Sequence, residues 1–214
     1  NTLTLYASWQ DREYTDLVSV PGGTFVETEA YWNGEIYYES SGFSHTISSF
    51  MIGKYELTYE LWYTVYQWAI AHGYLFGNKG REGRYGEDGA KPTSAKYHPV
   101  TYISWHDVIV WCNAYSQMEN RNPVYSSDNT FLNPIVNSMY SNKTLCDKPY
   151  VNWSADGYRL PTLGEWQYSA RYKDGANWTP FNYASGATAA YTDETATAEV
   201  AWYGQDDGTH QVGG

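Results

Sequence analysis

The run Gly157-Tyr158-Arg159-Leu160-Pro161-Thr162, continuing through Glu165-Trp166-Gln167-Tyr168 to Ala170-Arg171, constrains the fold more than any other part of the chain. An extended stretch meets a proline, which fixes φ and offers no N–H to a ladder or to a helix already under way. The next residue opens a helix. Thr162 and Glu165 have the spacing of a capping box, in which the hydroxyl accepts from an amide of the first turn and the carboxylate accepts from the cap amide. Strand, stop and helix start are thus specified without a gap, although Gly164 inside the first turn weakens that helix by about 1 kcal/mol.

The same grammar predicts two earlier helices. Thr58 can cap the first, with Glu60 in the first turn where the helix dipole favours an acid; Leu61, Val65, Trp68 and Ala69 recur near a 3.6-residue period, and Gly73 stands where the helix should end. Ser104 opens the second with Asp107 three positions on, and Trp105, Val108, Trp111, Cys112 and Tyr115 line one side. Short strands are expected at Thr24-Phe25-Val26 after the Pro21-Gly22-Gly23 turn, at His45-Thr46-Ile47 and at Phe50-Met51-Ile52. Residues 1 to 19 read as a leading arm with Leu3, Leu5, Leu17 and Val18 as apolar points and room for an edge strand. The glycine-rich segment 77 to 91 reads as a loop, and without a preceding strand and a following helix it does not form a phosphate cradle. Residues 117 to 157, broken by Pro123, Pro134 and Pro149, read as a polar insertion; 184 to 198 as a loop of little intrinsic order; and Ala201-Trp202-Tyr203 as an apolar anchor on the core.

Amphipathic helices with a few short strands imply one α+β domain, and 214 residues suffice for a proper core. With 23 Tyr and 10 Trp, much of the burial must come from aromatics that keep a polar edge. The expected core is Phe25, Phe50, Ile52, Leu61, Val65, Trp68, Trp105, Val108, Trp111, Leu160, Trp166 and Trp202. The formal charge of −11, with only scattered Arg81, Arg84 and Lys91 against it, repels a polyanion and excludes nucleic acid as partner. No apolar run reaches the ~18 to 20 residues of a membrane span, and the first residues lack the parts of a signal peptide. The chain opens on Asn1, which leaves room for a removed leader or a lipid anchor upstream of residue 1.

Several blocks in one order, Val20-Pro21-Gly22-Gly23-Thr24-Phe25, Phe50 to Thr58, His98 to Asp107 and Gly157 to Arg171, resemble the formylglycine-generating-enzyme domain, also called the sulfatase-modifying-factor domain. The resemblance covers residues 20 to 214. It implies a C-type lectin fold of the formylglycine-generating-enzyme subtype, with few regular elements and long loops, the family's closing segment lying beyond Gly214. In such enzymes the catalytic cysteine pair belongs to that segment, so the resemblance assigns no catalytic residue between 1 and 214.

The two thiols, Cys112 and Cys146, are too few for a disulfide framework or a thiolate zinc site; buried small hydrophobe and mutual disulfide are both open readings of Cys112, and neither cysteine has a neighbour to activate it. No two histidines have metal-ligand spacing. His106 and Asp107 diverge by about 100° around a helix and cannot form a dyad; Asp107 reads as a cap acid. Glu60 reads as a solvated or bridging charge, and Glu165 as an available partner for Arg159 or Arg171. The resemblance implies a calcium site, for which Asn182, the Tyr183 carbonyl and Asp193, or Glu194 in place of Asp193, are the candidate ligands. Trp153, Trp178 and Tyr183 are the candidate ligand-binding residues, aromatic anchors on neighbouring loops.

The expected function is a ligand-binding display protein of a bacterial cell surface or periplasm, whose scaffold presents a downstream, diversified binding surface to a protein or small ligand. The chain resembles in this the variable proteins of diversity-generating retroelements in spirochaetes. The alternative implied by the resemblance is an oxidase acting on sulfatase cysteines, with catalytic cysteines beyond residue 214.

Overall fold

The computed structural model describes residues 16–27, 30–32, 35–37, 43–173, 177–180, 182–203 and 208–213. Leu3 and Leu5 of the leading arm lie outside them. The chain forms two compact units interleaved along the sequence, one comprising 17–52 and 161–207, the other 53–160 with both chain ends.

In the first of these units, strand β1 (Leu17–Val20) pairs with β6 (Phe50–Gly53), which gives the arm the edge strand its apolar points suggested. Strand β2 (Gly23–Glu27) runs antiparallel to β5 (Phe43–Ile47), Gly23 facing Ile47 and Glu27 facing Phe43. Strands β3 (Ala30–Trp32) and β4 (Glu35–Tyr37) form a separate antiparallel pair. Helix α4 (Leu163–Arg171) starts at the expected capping box, with both the Thr162 hydroxyl and the Glu165 carboxylate engaged. It turns Gly164, Glu165 and Tyr168 inward. Gly164 is the residue that permits the close seating of α4 on β5: a Cβ there would lie 3.0 Å from His45 Nδ1 and 3.2 Å from Ile47 Cδ1. The cost of a glycine in the helix is therefore offset by packing. The core of this unit is Val20, Phe25 and Tyr168, with Ile47, Phe50, Ile52, Tyr172 and Trp178 packed around them.

The second unit is built on two helices, α1 (Tyr59–Ala71) and α2 (Trp105–Met118). Thr58 caps α1 by accepting from the Leu61 amide, and Gly73 follows the C-cap His72 with φ +85°. Ser104 and Asp107 complete the capping box of α2. Strands β7 (Arg81–Glu82) and β8 (Val100–Thr101) pair antiparallel across the glycine-rich loop, whose Arg81 bridges to Asp88 and lies 3.8 Å over the Tyr102 ring. The insertion after α2 is not shapeless. It holds β9 (Tyr125–Ser126), a 3-10 turn at Tyr140–Asn142, α3 (Lys143–Asp147) and β10 (Tyr150–Val151). The unit's core joins Tyr59, Trp62, Val65 and Ala69 of α1 to Ile109, Val110 and Ala114 of α2.

Three expected core residues are exposed instead: Trp105 at 57%, Trp166 at 57% and Trp202 at 62%. Trp105 is the first helical residue of α2, and its indole donates to the Cys146 carbonyl at 3.3 Å while Asp107 takes the buried position. Trp166 lies about 100° around the helix from Glu165 and about 200° from Tyr168, so burial of those two turns it outward. Trp202 follows a short helix, α5 (Glu194–Ala198), in an irregular stretch. That helix is itself a departure from the expected loop, and it forms because Asp193 caps it.

Candidate functional site

Helix α2 is buried nearly all round, and its polar side chains organise the insertion. Asp107 is fully buried and its carboxylate is an acceptor hub. Oδ1 accepts from Gly77 N at 3.0 Å, Asn78 N at 3.2 Å and Ser138 Oγ at 2.6 Å, and Oδ2 from Ser104 N at 2.9 Å, Ser104 Oγ at 2.6 Å and Asn78 Nδ2 at 2.7 Å. Burial pushes this carboxyl up, and the hydrogen bonds from Asn78, Ser104 and Ser138 outweigh burial and hold it below the usual carboxylate range. The expected cap acid is thus also the clamp between α2 and two loops.

Two turns further along, Asn113 does the same for β9. It donates to the Tyr125 carbonyl at 2.7 Å and the Ile135 carbonyl at 3.0 Å, and accepts from the Tyr125 amide at 3.0 Å. Ser116 accepts from Tyr158 N at 2.8 Å. The Gly-Tyr-Arg-Leu run closes on this framework. A Cβ on Gly157 would collide with the Asn122 carbonyl and with Ser116, so only glycine fits. Tyr158 stacks on Tyr115 at 4.0 Å between ring centroids, the Arg159 guanidinium lies 5.0 Å from the Trp153 ring centroid, and the Leu160 amide donates to the Tyr125 hydroxyl at 3.0 Å.

What this framework presents outward is apolar. Antiparallel β10 sets Tyr150 opposite Ser126, and Ser126 also bridges to Pro134, so 127–133 is the loop joining two rungs of one small ladder. Asp128 ties that loop by accepting from Thr130 N at 2.9 Å and Asn133 Nδ2 at 2.7 Å. Phe131 is held at φ +60°, a left-handed conformation that bulky residues rarely adopt, and Leu132 at the tip is 80% exposed. Trp153, 65% exposed, stands two residues past β10 on a turn closed by Ala155 N to the Asn152 carbonyl at 3.1 Å. Bulky apolar groups held in solvent by a fixed backbone are the geometry of recognition anchors.

Of the expected ligand-binding residues, Trp153 belongs to this surface. Trp178 and Tyr183 belong to the other unit. Trp178 packs edge-on against Tyr168, 4.6 Å between ring centroids, and against Tyr172 at 5.5 Å, in the aromatic core. Tyr183 is half-buried, its amide bonded to the Pro180 carbonyl at 3.0 Å. For the calcium candidates, Tyr191 N donates to the Asn182 carbonyl at 2.8 Å, which draws Asn182 and Asp193 into one loop. Asp193 Oδ1 already accepts from Ala196 N at 3.0 Å. Among the described residues no group of three or more His, Cys, Asp or Glu is arranged to hold a metal ion. Leu132, Tyr150 and Phe131 were not singled out from sequence; the signal was there in an apolar pair between Asp128 and Asn133, both turn-forming residues.

Both cysteines are free thiols and buried. Burial pushes Cys112 up to about 12 and Cys146 up to about 11, the latter helped by Asp147 and Asp107. His106 pairs with Asp147 at 2.8 Å rather than with Asp107, and Glu60 with Lys96 at 2.8 Å. Arg159 Nη1 donates to the Leu160 carbonyl and Arg171 Nε to the Thr179 carbonyl.

Comparison with known proteins places these features in context. The family model described as sulfatase-modifying factor enzyme 1-like domain matches residues 4–212. Chaperone protein LppX of Paenibacillus barcinonensis is 30% identical over 199 residues, which is 93% of this chain and 57% of that protein. Among solved structures, CarF matches with a TM-score of 0.55 and 28% identity, over 75% of this chain and 57% of its own. Treponema denticola variable protein 1 matches with a TM-score of 0.50 and 22% identity, over 72% of this chain and 51% of its own, a likeness of fold. The chain therefore spans little more than half the length of the relatives it matches. The described elements, few and short with long loops between, are of that shared α+β fold. No described helix is long and apolar enough to cross a membrane.

Proposed function

Since the chain belongs to the sulfatase-modifying factor enzyme 1-like domain family, whose fold carries catalysts and binding proteins alike, we propose that it is a binding scaffold of a bacterial cell envelope that presents an aromatic surface to a protein partner. One observation carries this reading: Leu132 and Trp153 are held in solvent on a backbone pinned by Asn113, Ser116 and Asp128. The naming of a 30% identical relative as a chaperone agrees with a polypeptide partner. The thiols of this chain suit packing rather than cysteine oxidation, because thiolate is the reactive form and burial disfavours it at both sites.

Full-length protein applied to an array of extended peptides tests the reading. Apolar peptides should be retained, and Trp153→Ala and Leu132→Ser should each weaken retention. Copper-dependent oxidation of a sulfatase-type cysteine peptide, with no peptide retained otherwise, would replace this reading by the oxidase. The finer reading, a display protein with a diversified surface, is tested by sequencing the gene past the Gly214 codon in several isolates: scattered substitutions there support it and an unvaried segment removes it.

Calcium belongs to the same reading. With Asn182 and Asp193 in the loop tied by Tyr191, the ligands would be the Asn182 side chain, the Tyr183 carbonyl and Asp193, with water completing the six to eight oxygens the ion needs. A calcium titration followed by thermal unfolding decides it, an unchanged midpoint at millimolar ion removing calcium from the account.

A further inference from the structure

The register of the small ladder leaves one backbone edge open. Asn152 N donates to the Val124 carbonyl at 2.9 Å, and Tyr150 pairs with Ser126 and Val151 with Tyr125. In an antiparallel pair, hydrogen-bonded and non-hydrogen-bonded residues alternate. Asn152 with Val124 and Tyr150 with Ser126 are the bonded pairs, so the backbone groups of Tyr125 and Val151 point away from each other. On the Tyr125 side this is observed. Its amide donates to Asn113 Oδ1 at 3.0 Å, and its carbonyl accepts from Ile135 N at 3.0 Å and Asn113 Nδ2 at 2.7 Å. The equivalent amide and carbonyl of Val151, on the far side of β10, have no partner among the described residues.

We propose that β10 is a docking edge for an extended polypeptide, which adds as a strand opposite Val151 and brings its side chains past the exposed Tyr150 and the Trp153 ring. This rests on the reading of the insertion as a binding surface, and it names the conformation and chemistry of the partner. An outward N–H and C=O at one residue can pair with the backbone of an extended peptide. Edges of this kind are ordinarily blunted by charge or proline. Here Pro149 closes one end only, and no charged residue stands between it and Asp156. From 117 to 160 the charges cancel, Arg121, Lys143, Lys148 and Arg159 against Glu119, Asp128, Asp147 and Asp156, in a chain of net charge −11. A region of zero net charge favours an uncharged strand over a strongly charged one. Because one residue supplies the main-chain pair, most of the affinity comes from contacts with Tyr150 and Trp153.

The test uses full-length, nitrogen-15-labelled protein and a capped eight-residue peptide of alternating valine and threonine, with a version N-methylated at every residue as control. Binding of the parent peptide should slow amide exchange at Val151 by roughly tenfold or more, the N-methylated peptide should bind roughly tenfold more weakly, and Trp153→Ala should weaken the parent peptide. A Val151 amide already protected in the free protein means the edge is covered by the protein's own chain, and overturns the proposal. So does equal binding of the two peptides, or unchanged exchange at Val151 with the parent bound. In either of those last cases a weakening by Trp153→Ala keeps the surface reading while strand addition falls. If no peptide binds here or on the array, both fall.

Discussion

Trp62 and Trp111 stack face to face, 5.6 Å between ring centroids and 4° from parallel, and the Trp111 indole N–H donates to the Trp62 carbonyl at 3.2 Å. The pair joins α1 to α2 by both dispersion and a hydrogen bond. Trp62 is fully buried and its own indole donates to the Lys79 carbonyl at 2.8 Å, so it also anchors the start of the glycine-rich loop.

Trp62→Ala should cost about 3 to 5 kcal/mol, because a large cavity opens in the middle of the unit. Trp62→Phe should cost less, about 1 to 3 kcal/mol, chiefly through the unpaired Lys79 carbonyl. Urea unfolding measures both; equal costs for the two variants would show that the cavity adds nothing to the loss of the bond to Lys79, and a Trp62→Phe variant as stable as wild type would show that this hydrogen bond contributes nothing.

The clamp at Asp107 makes a pH prediction. Its folded pKa is depressed, so its stabilisation is complete above the unfolded value of about 4 and is lost as pH falls through the lower folded value. Asp107→Asn puts an amide where Ser104 and Asn78 donate, and should cost about 2 to 4 kcal/mol at neutral pH. The difference between wild type and variant should shrink in acid. A difference constant from pH 7 to pH 3 would mean the carboxylate is not the stabilising form.

At the alkaline end the sign reverses. The raised thiols of Cys112 and Cys146, and the Tyr59 phenol pushed up to about 12 chiefly by burial, stabilise the fold fully below their unfolded values, about 8.5 and 10. That contribution is lost as pH rises toward the folded values. Stability should decline from about pH 9 upward, and a thiol reagent at pH 8.5 should label neither cysteine until denaturant is added. Rapid labelling of the native protein would contradict the burial of both.

Helix starts were legible in the sequence because each is a local event: Thr58, Ser104 and Thr162 all cap as their spacing required. Which face each helix buries was less legible. Trp62 went unnoticed beside Leu61, while Trp105 and Trp166 were expected inside, because an aromatic residue near a helix start satisfies a 3.6-residue period on either of two faces. Asp107 was read as a cap, and its second role depends on Gly77 and Ser138, which are remote in sequence. The candidate surface was legible only at Trp153. Its other members gain meaning from the pairing of Ser126 with both Tyr150 and Pro134, a contact between segments that no periodicity reveals.

Phe131 offers the sharpest separation of stability from function. Its φ of +60° costs a bulky residue about 1 to 2 kcal/mol relative to one that enters this region readily. The turn around it, held by Asp128 and Asn133, does not depend on the ring. Asparagine tolerates the left-handed region because its short polar side chain can bond locally, so Phe131→Asn should leave the loop intact and raise stability by about 0.5 to 1 kcal/mol. If the aromatic ring is held there as a binding anchor, the same variant should retain apolar peptides less well. Thermal unfolding and the peptide array read the two effects separately. A variant more stable and unimpaired in binding would show that the strained ring serves no partner, and would confine the recognition surface to Leu132, Tyr150 and Trp153.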